Sequence, residues 1–266
     1  MRKLLPSEIA ENDARRLAVV LSEVGGDGAP IGGGWMACDV PGSWAKYAAG
    51  LGVDGAVDGA VLDELVAFYR ERDRTPRIEV TPYQHPTLVE GLASRGFTPY
   101  SFDTVLVRTT DALPQEAPIS GLVFRRVDPA NDEDVHDFRD SQMAGFYESG
   151  NVPSGMLPIT ERVARSHRNQ LWLLELEGTV VGSGGLEIFG ESALMIAGCV
   201  HPEARRQGVH LAFMQFRLEQ ARAAGLHSLT VGTKPGGPTE RNALRAGFTP
   251  VYTQLGLCQT APPARS

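Results

Sequence analysis

VHPEARRQGVH, Val200 to His210, is the stretch whose reading decides the fold. An apolar segment, SALMIAGCV (192–200), leads into it. After it, Val209, Ala212, Phe213, Phe216 and Leu218 form a helical stripe that stops at Gly225. A strand, a turn and a helix in that order bring converging backbone N–H groups to the positive end of a helix dipole. Such a turn holds a pyrophosphate without hydrolysing it. Gly208 removes the Cβ where the anion must approach closely.

Working outward, LWLLELEG (171–178) and TVVGSGGLEIFG (179–190) read as strands joined at Gly178, and LHSLTVG (226–232) as another. PTERNALRAGF (238–248) reads as a short helix closed by a left-handed Gly247, and FTPVYTQLGLC (248–258) as the last strand. DPANDEDVHDFRDSQMAGF (128–146) and LPITERVARSH (157–167) are predicted helices. The acid-rich run from Asp128 to Asp140 fits an N-capped helix with a solvated face better than a metal site.

The first half repeats this grammar. RIEVTPYQHPTLVEGLASRGFTP (77–99) aligns without a gap on SLTVGTKPGGPTERNALRAGFTP (228–250), an offset of 151 residues. Ile78 and Val80 fall on Leu229 and Val231, and Val61, Leu62 and Leu65 on Ala212, Phe213 and Phe216. This predicts a duplication with a shortened first copy, lacking room for the hairpin that precedes the turn in the second. ALPQEAPISG (112–121) reads as the linker, which gives domains at 1–111 and 119–260. The fragment from Gly50 to Gly55 matches G-x-G-x-x-G, but the preceding WAKYAA (44–49) reads as helical, so a dinucleotide fold is not supported.

Composition excludes other classes. The chain has 266 residues, 42% hydrophobic and 21% charged, with a net charge of −7, so a broad nucleic-acid footprint is not expected. Cys38, Cys199 and Cys258 imply neither a disulfide framework nor zinc spacing. No run reaches membrane-span length, the N-terminal MRKLLPSEIAENDARR is too short in apolar residues for a signal peptide, and a cytoplasmic protein is expected.

Val200, Pro202, Arg205 and Gly208 stand in the spacing V-x-P-x-x-R-x-x-G-x-G/A, and RNALRAGF (241–248) places an Asn on a helix that ends in Gly-Phe. In both respects the chain resembles the GNAT superfamily of acyl-CoA-dependent N-acetyltransferases. The resemblance implies an α+β fold of two tandem GNAT-like domains, with mixed, mostly antiparallel sheets flanked by helices. It further implies a sheet split between strands 192–200 and 226–232, with acetyl-CoA as acyl donor. Cys199, Val200, Arg205, Arg206, Gln207, Gly208, Val209, His210 and Asn242 are the implied cofactor contacts. Two positions depart from the pattern: His210 replaces the last Gly or Ala, and Ala243 replaces the Tyr that protonates the thiolate in many members.

Acylation of an amine requires a fixed thioester, a polarised carbonyl, a neutral amine and a departing thiolate. Backbone N–H groups around Cys199 and Val200, where family members carry a strand bulge, supply the polarisation. Glu187 is the candidate base and Tyr252 the candidate acid; packing or solvation is the competing reading of each, as it is for Tyr147 and Glu148. Unassisted attack by a neutral amine is a further route, since a thiol near pKa ~8.5 leaves readily. Cys199 reads as a small strand-end residue rather than a nucleophile, lacking a spaced His and acid. The expected substrate is a small-molecule amine, handled by a monomer or homodimer; a non-catalytic acyl-CoA-binding or scaffolding module and a protein N-acetyltransferase are the alternatives. In the first copy Asp54, Val57 and Gly59 stand where Arg205, Gly208 and His210 do, and Asp54 and Asp58 would repel a pyrophosphate, so only the second copy is expected to bind acyl-CoA.

Overall fold

Residues 5–111 and 119–260 are described by a computed structural model of the protein; 112–118, most of the expected linker, lie outside them. The chain order is α1 (Pro6–Val24), β1 (Gly28–Ile31), β2 (Gly34–Ala37), β3 (Ala48–Ala49), α2 (Gly59–Glu71), β4 (Arg77–Val80), α3 (Pro86–Ala93) and β5 (Phe97–Thr109). It continues with β6 (Leu122–Arg126), α4 (Asp132–Phe146), α5 (Met156–Arg165), β7 (Asn169–Leu176), β8 (Thr179–Phe189) and β9 (Ser192–Val200). Last come α6 (Val209–Ala223), β10 (Ser228–Thr233), α7 (Pro238–Arg245) and β11 (Thr249–Gln259). Two compact units result: Met1–Thr104 with Tyr252–Ser266, and Val105–Val251. The division falls inside β5 and β11, so each of these strands gives a segment to both units.

In the first unit the strand order is β1-β2-β3-β4-β11-β5. β3 runs parallel to β4 through Ala48 opposite Ile78, and β11 runs antiparallel to β4 with Leu255 opposite Val80. Leu62, Leu65 and Phe68 of α2 and Leu88 and Leu92 of α3 close over Ile78 and Val80 in one core. The offset of 151 holds: α2, β4, α3 and β5 reproduce the order of α6, β10, α7 and β11. Two expectations fail here. The first copy does contain a hairpin, β1 and β2, turned by Gly32 and Gly33 at φ 48° and 81°. Two successive left-handed residues make the tight turn that matches strand twist, and strands of four residues are too short to display an alternating pattern. WAKYAA is not helical; its last two residues form β3, buried against β4, and tertiary pairing outweighs the helix preference of alanine.

The second unit orders its strands β10-β9-β8-β7-β6, with residues 105–109 of β5 beside β10. Alternate residues of β7 face opposite sides, as a period of two requires. Leu171 and Leu173 pack with Val135 and Phe138 of α4 and Ala164 of α5. Trp172 and Leu174 pack with Phe213, Met214 and Leu218 of α6. Helices thus cover both faces, and the sheets are mixed and mostly antiparallel. α4 starts where Asn131 accepts from the backbone N–H groups of Glu133 and Asp134.

Two irregularities of β9 shape the site. It pairs with β10 in parallel only from Ser192 to Leu194, opposite Ser228 to Thr230, and is free on that side from Met195 onward. On its other side Ile196 faces Gly185 and Cys199 faces Ser183, so Ala197 and Gly198 together oppose the single residue Gly184. This is a β-bulge with Ala197 at φ 53°, a conformation an L-residue keeps only when its surroundings impose it.

Candidate active site

β9 runs into a short 3-10 turn, Pro202–Ala204, and α6 begins after Gly208 at φ 82°. Arg206 is also left-handed, at φ 62°. The first bond of the α6 ladder runs from the Ala212 N–H to the Gly208 carbonyl, so the amides of Val209, His210 and Leu211 precede it. Gly208 has no side chain to cap them. They end α6 as an uncapped cluster of donors with the dipole behind it.

These amides border a cavity of about 620 Å³ between the parted end of β9, α6 and α7. Its lining includes Arg205, Arg206, Arg241 and Arg245 and, among the described residues, no carboxylate, in a chain whose net charge is −7. Of the sequence-selected contacts, Cys199, Val200, Arg205, Arg206, Gly208, Val209, His210 and Asn242 are brought together here. Gln207 is not among the lining residues; its side-chain amide donates to the Glu203 carbonyl within the turn. Arg205 is already engaged, donating to the Val200 carbonyl at 3.0 Å and the Gly145 carbonyl at 3.1 Å and pairing with Glu148. It ties the turn to the end of α4, whereas Arg206, Arg241 and Arg245, also exposed at the cavity, make no ion pair among the described residues, Arg241 donating to the Gly236 carbonyl at 2.6 Å.

The side-chain amide of Asn242 donates to His210 Nδ1 at 3.0 Å. Burial, then the charge of Arg217, lowers the His210 pKa to about 4. The imidazole is therefore neutral at pH 7, with its proton on Nε2. Burial pushes the Cys199 thiol up, which keeps it protonated and removes the nucleophile that an acyl-enzyme would need.

The bulge is held from the α4 side by Gln142, whose amide donates to the Ala197 carbonyl at 2.6 Å and to Ser183 Oγ at 2.8 Å. Gly145 lets α4 pass directly over the strand: a Cβ there would stand 2.5 Å from Cys199 Sγ. Sequence reasoning missed Gln142, Arg241 and Arg245. Arg241 and Arg245, four apart on one helix with Asn242 beside them, were the available signal, since that spacing puts both on one face.

Neither proposed catalytic side chain lines the cavity. Tyr252 belongs to the first unit, where its hydroxyl donates to Asp13 Oδ2 at 2.8 Å; burial and that carboxylate both raise its pKa. Glu187 is buried on β8 opposite Asn169 and Leu194, four strand residues from Ser183, or about 13 Å along the sheet. Tyr147 ends α4, and Glu148 is the partner of Arg205.

Residues 133–248 match the model of the acetyltransferase (GNAT) family. No curated protein matches the chain in sequence. A GCN5-related N-acetyltransferase from Kribbella flavida is similar in structure over 94% of this chain and 97% of its own, at 17% identity and TM-score 0.68. A GCN5-related N-acetyltransferase from Sphaerobacter thermophilus matches 73% of this chain and 62% of its own, at 18% identity and TM-score 0.55. A tandem GNAT protein from the clavulanic acid biosynthesis pathway matches 78% of this chain and 70% of its own, at 17% identity and TM-score 0.54. At such identities the likeness is one of fold, and it is the fold expected from the turn at 200–210 and from the repeat.

Proposed function

We propose, from the match of residues 133–248 to the GNAT acetyltransferase family, that the protein moves an acetyl group from acetyl-CoA to the amine of a small molecule by direct attack. One observation carries the reading: a cavity with arginines and, among the described residues, no carboxylate, set against the uncapped amides of α6, in an acidic protein. A pyrophosphate fits those donors. Gly208 to Leu211 would hold it through backbone N–H groups, and Arg206, Arg241 and Arg245 would add charge. The donor supplies an activated acyl carbon.

The chain's residues do the rest. The unpaired edge of β9 from Met195 to Val200 takes the acyl arm as an added strand would. The bulge at Ala197 and Gly198 turns backbone dipoles toward the acyl oxygen. His210 stays neutral and has too low a pKa to deprotonate an amine. Among the described residues no carboxylate lines the cavity, so the amine reaches the carbonyl already neutral; its nitrogen bonds to carbon as the carbonyl π pair moves onto oxygen, and the carbon–sulfur bond breaks as that pair returns. The electron pair leaves on sulfur, and the proton from nitrogen passes to water or to the thiolate.

A second reading, an acyl-CoA-binding module without turnover, is favoured by Ala243, which is fully buried where many members carry their acid. Calorimetric titration of the full chain with acetyl-CoA, followed by thiol release against a panel of small amines, separates the two. Binding with turnover on at least one amine supports the enzyme; binding with none supports the module. Absence of binding overturns both.

A further inference from the structure

Arg217 on α6 is 2% exposed, the largest of the fully buried side chains. Among the described residues no carboxylate pairs with it. Its partners are three backbone carbonyls at long range, Phe213 at 3.4 Å, Gly185 at 3.3 Å and Ile196 at 3.5 Å, together with the ring of Phe213 at 4.1 Å. A guanidinium carries five N–H donors, so this shell is thin. Burial pushes the group down to about 9, and it remains cationic at neutral pH. A buried charge without a counter-ion is strongly disfavoured, and its neighbours Phe213, Met214 and Leu218 show that the same helix face accepts apolar residues.

The location supplies a reason. Gly185 and Ile196 are the pair that flanks the bulge, and a Cβ on Gly198 would stand 3.3 Å from Arg217 Nη2. Gly198 lines the cavity. The cation therefore lies directly behind the strand segment that faces the cavity, while Gln142 holds the Ala197 carbonyl from the α4 side.

We propose that Arg217 is a positioning residue for acyl transfer, acting through the bulge at Ala197 and Gly198 and adding fixed positive charge behind the peptide that receives the acyl oxygen. The inference rests on the acetyltransferase reading above. As the amine nitrogen bonds to the carbonyl carbon, the carbonyl π pair moves onto oxygen. The missing counter-charge of Arg217 is then supplied by the reaction itself, and it is withdrawn when the pair returns and the carbon–sulfur bond breaks. Such charge is already oriented and needs no rearrangement during the step.

The test uses the full chain, carbonyl-labelled acetyl-CoA and three variants. Arg217→Gln keeps hydrogen bonding to the Gly185 and Ile196 carbonyls without the charge; Arg217→Lys keeps the charge; Arg217→Met replaces both with apolar volume. Calorimetry should show donor affinity within about threefold of the wild type, because the phosphate contacts lie elsewhere. Infrared difference spectra should show the bound carbonyl stretch moved to lower frequency in the wild type and in Arg217→Lys, with most of that shift lost in Arg217→Gln and Arg217→Met. With a reactive amine, kcat should fall about 10- to 100-fold in the neutral variants at little changed KM. Melting temperature should hold or rise in Arg217→Met. An unchanged carbonyl frequency in a folded neutral variant overturns the inference alone. If only Arg217→Lys folds, the charge serves stability and the inference is likewise overturned. If the wild type binds no acetyl-CoA, the reading beneath it falls first.

Discussion

The side-chain amide of Asn242 on α7 and Nδ1 of His210 on α6 lie 3.0 Å apart, and because an amide nitrogen only donates, this contact selects the imidazole tautomer with its proton on Nε2. The two residues came from separate sequence motifs, one opening α6 and one on the helix that ends in Gly-Phe. The hydrogen bond makes them one unit, held neutral by burial.

The acid stability of the fold should carry the mark of that unit. An unfolded histidine takes up a proton near pH 6.5, whereas native His210 waits until about pH 4. Between those values the unfolded state binds more protons, so stability is fully present above pH 6.5 and is lost as the pH falls toward 4. Urea unfolding of the wild type should lose up to about 3 kcal/mol relative to His210→Gln across that window. Parallel pH profiles for the two proteins would mean that His210 is not buried neutral.

Arginine substitutions at the cavity should divide into two kinds. Arg206→Ala, Arg241→Ala and Arg245→Ala each remove an exposed cation and should weaken acetyl-CoA binding about 3- to 10-fold at low salt, an effect that shrinks as added salt screens it. Arg205→Ala also releases Val200, Gly145 and Glu148, so it should lower the melting temperature as well. Calorimetry over a salt series, with thermal melts beside it, checks both statements. Equal salt response in all four variants would contradict the division.

The pH dependence of turnover follows from a lining that has no carboxylate among the described residues. The rate at low amine concentration should rise with pH and level off at the pKa of the amine itself, moving with that value across a series of amines. A fixed inflection near pH 6 to 7 for every amine would reveal an enzyme base.

The first copy should not bind the donor at its equivalent helix. Asp58 caps α2 by accepting from the Ala60 N–H, where Gly208 leaves α6 open. Asp54 stays ionised beside the Arg15 guanidinium, which lowers its pKa. Titration should give one acetyl-CoA per chain. Asp58→Ala should cost about 1 kcal/mol of stability and leave that stoichiometry at one. A second site in either protein would contradict this account.

Much of this was legible in the sequence because it depends on local chemistry. Val200, Pro202, Arg205 and Gly208 specify a strand, a turn and a helix start within nine positions, and Gly247 ends α7 as its spacing predicts. What escaped depends on residues far apart. The bulge at Ala197 has no local signature, since alanine disfavours that backbone and its support comes from residues distant in sequence, Gln142 and the β8 register among them. Arg217 reads as a polar position on a helix until the packing buries it. Tyr252 looks like an acid next to the Gly-Phe motif, yet its partner Asp13 lies 239 residues earlier.

The last strand carries a consequence for biosynthesis. In the first unit β11 lies between β4 and β5, although it is made after everything else described. A ribosome that has completed residues 1–111 has released a sheet with an interior strand missing and raw backbone edges on β4 and β5, open to any other extended chain. The half of the protein that is translated first is therefore the half that finishes folding last.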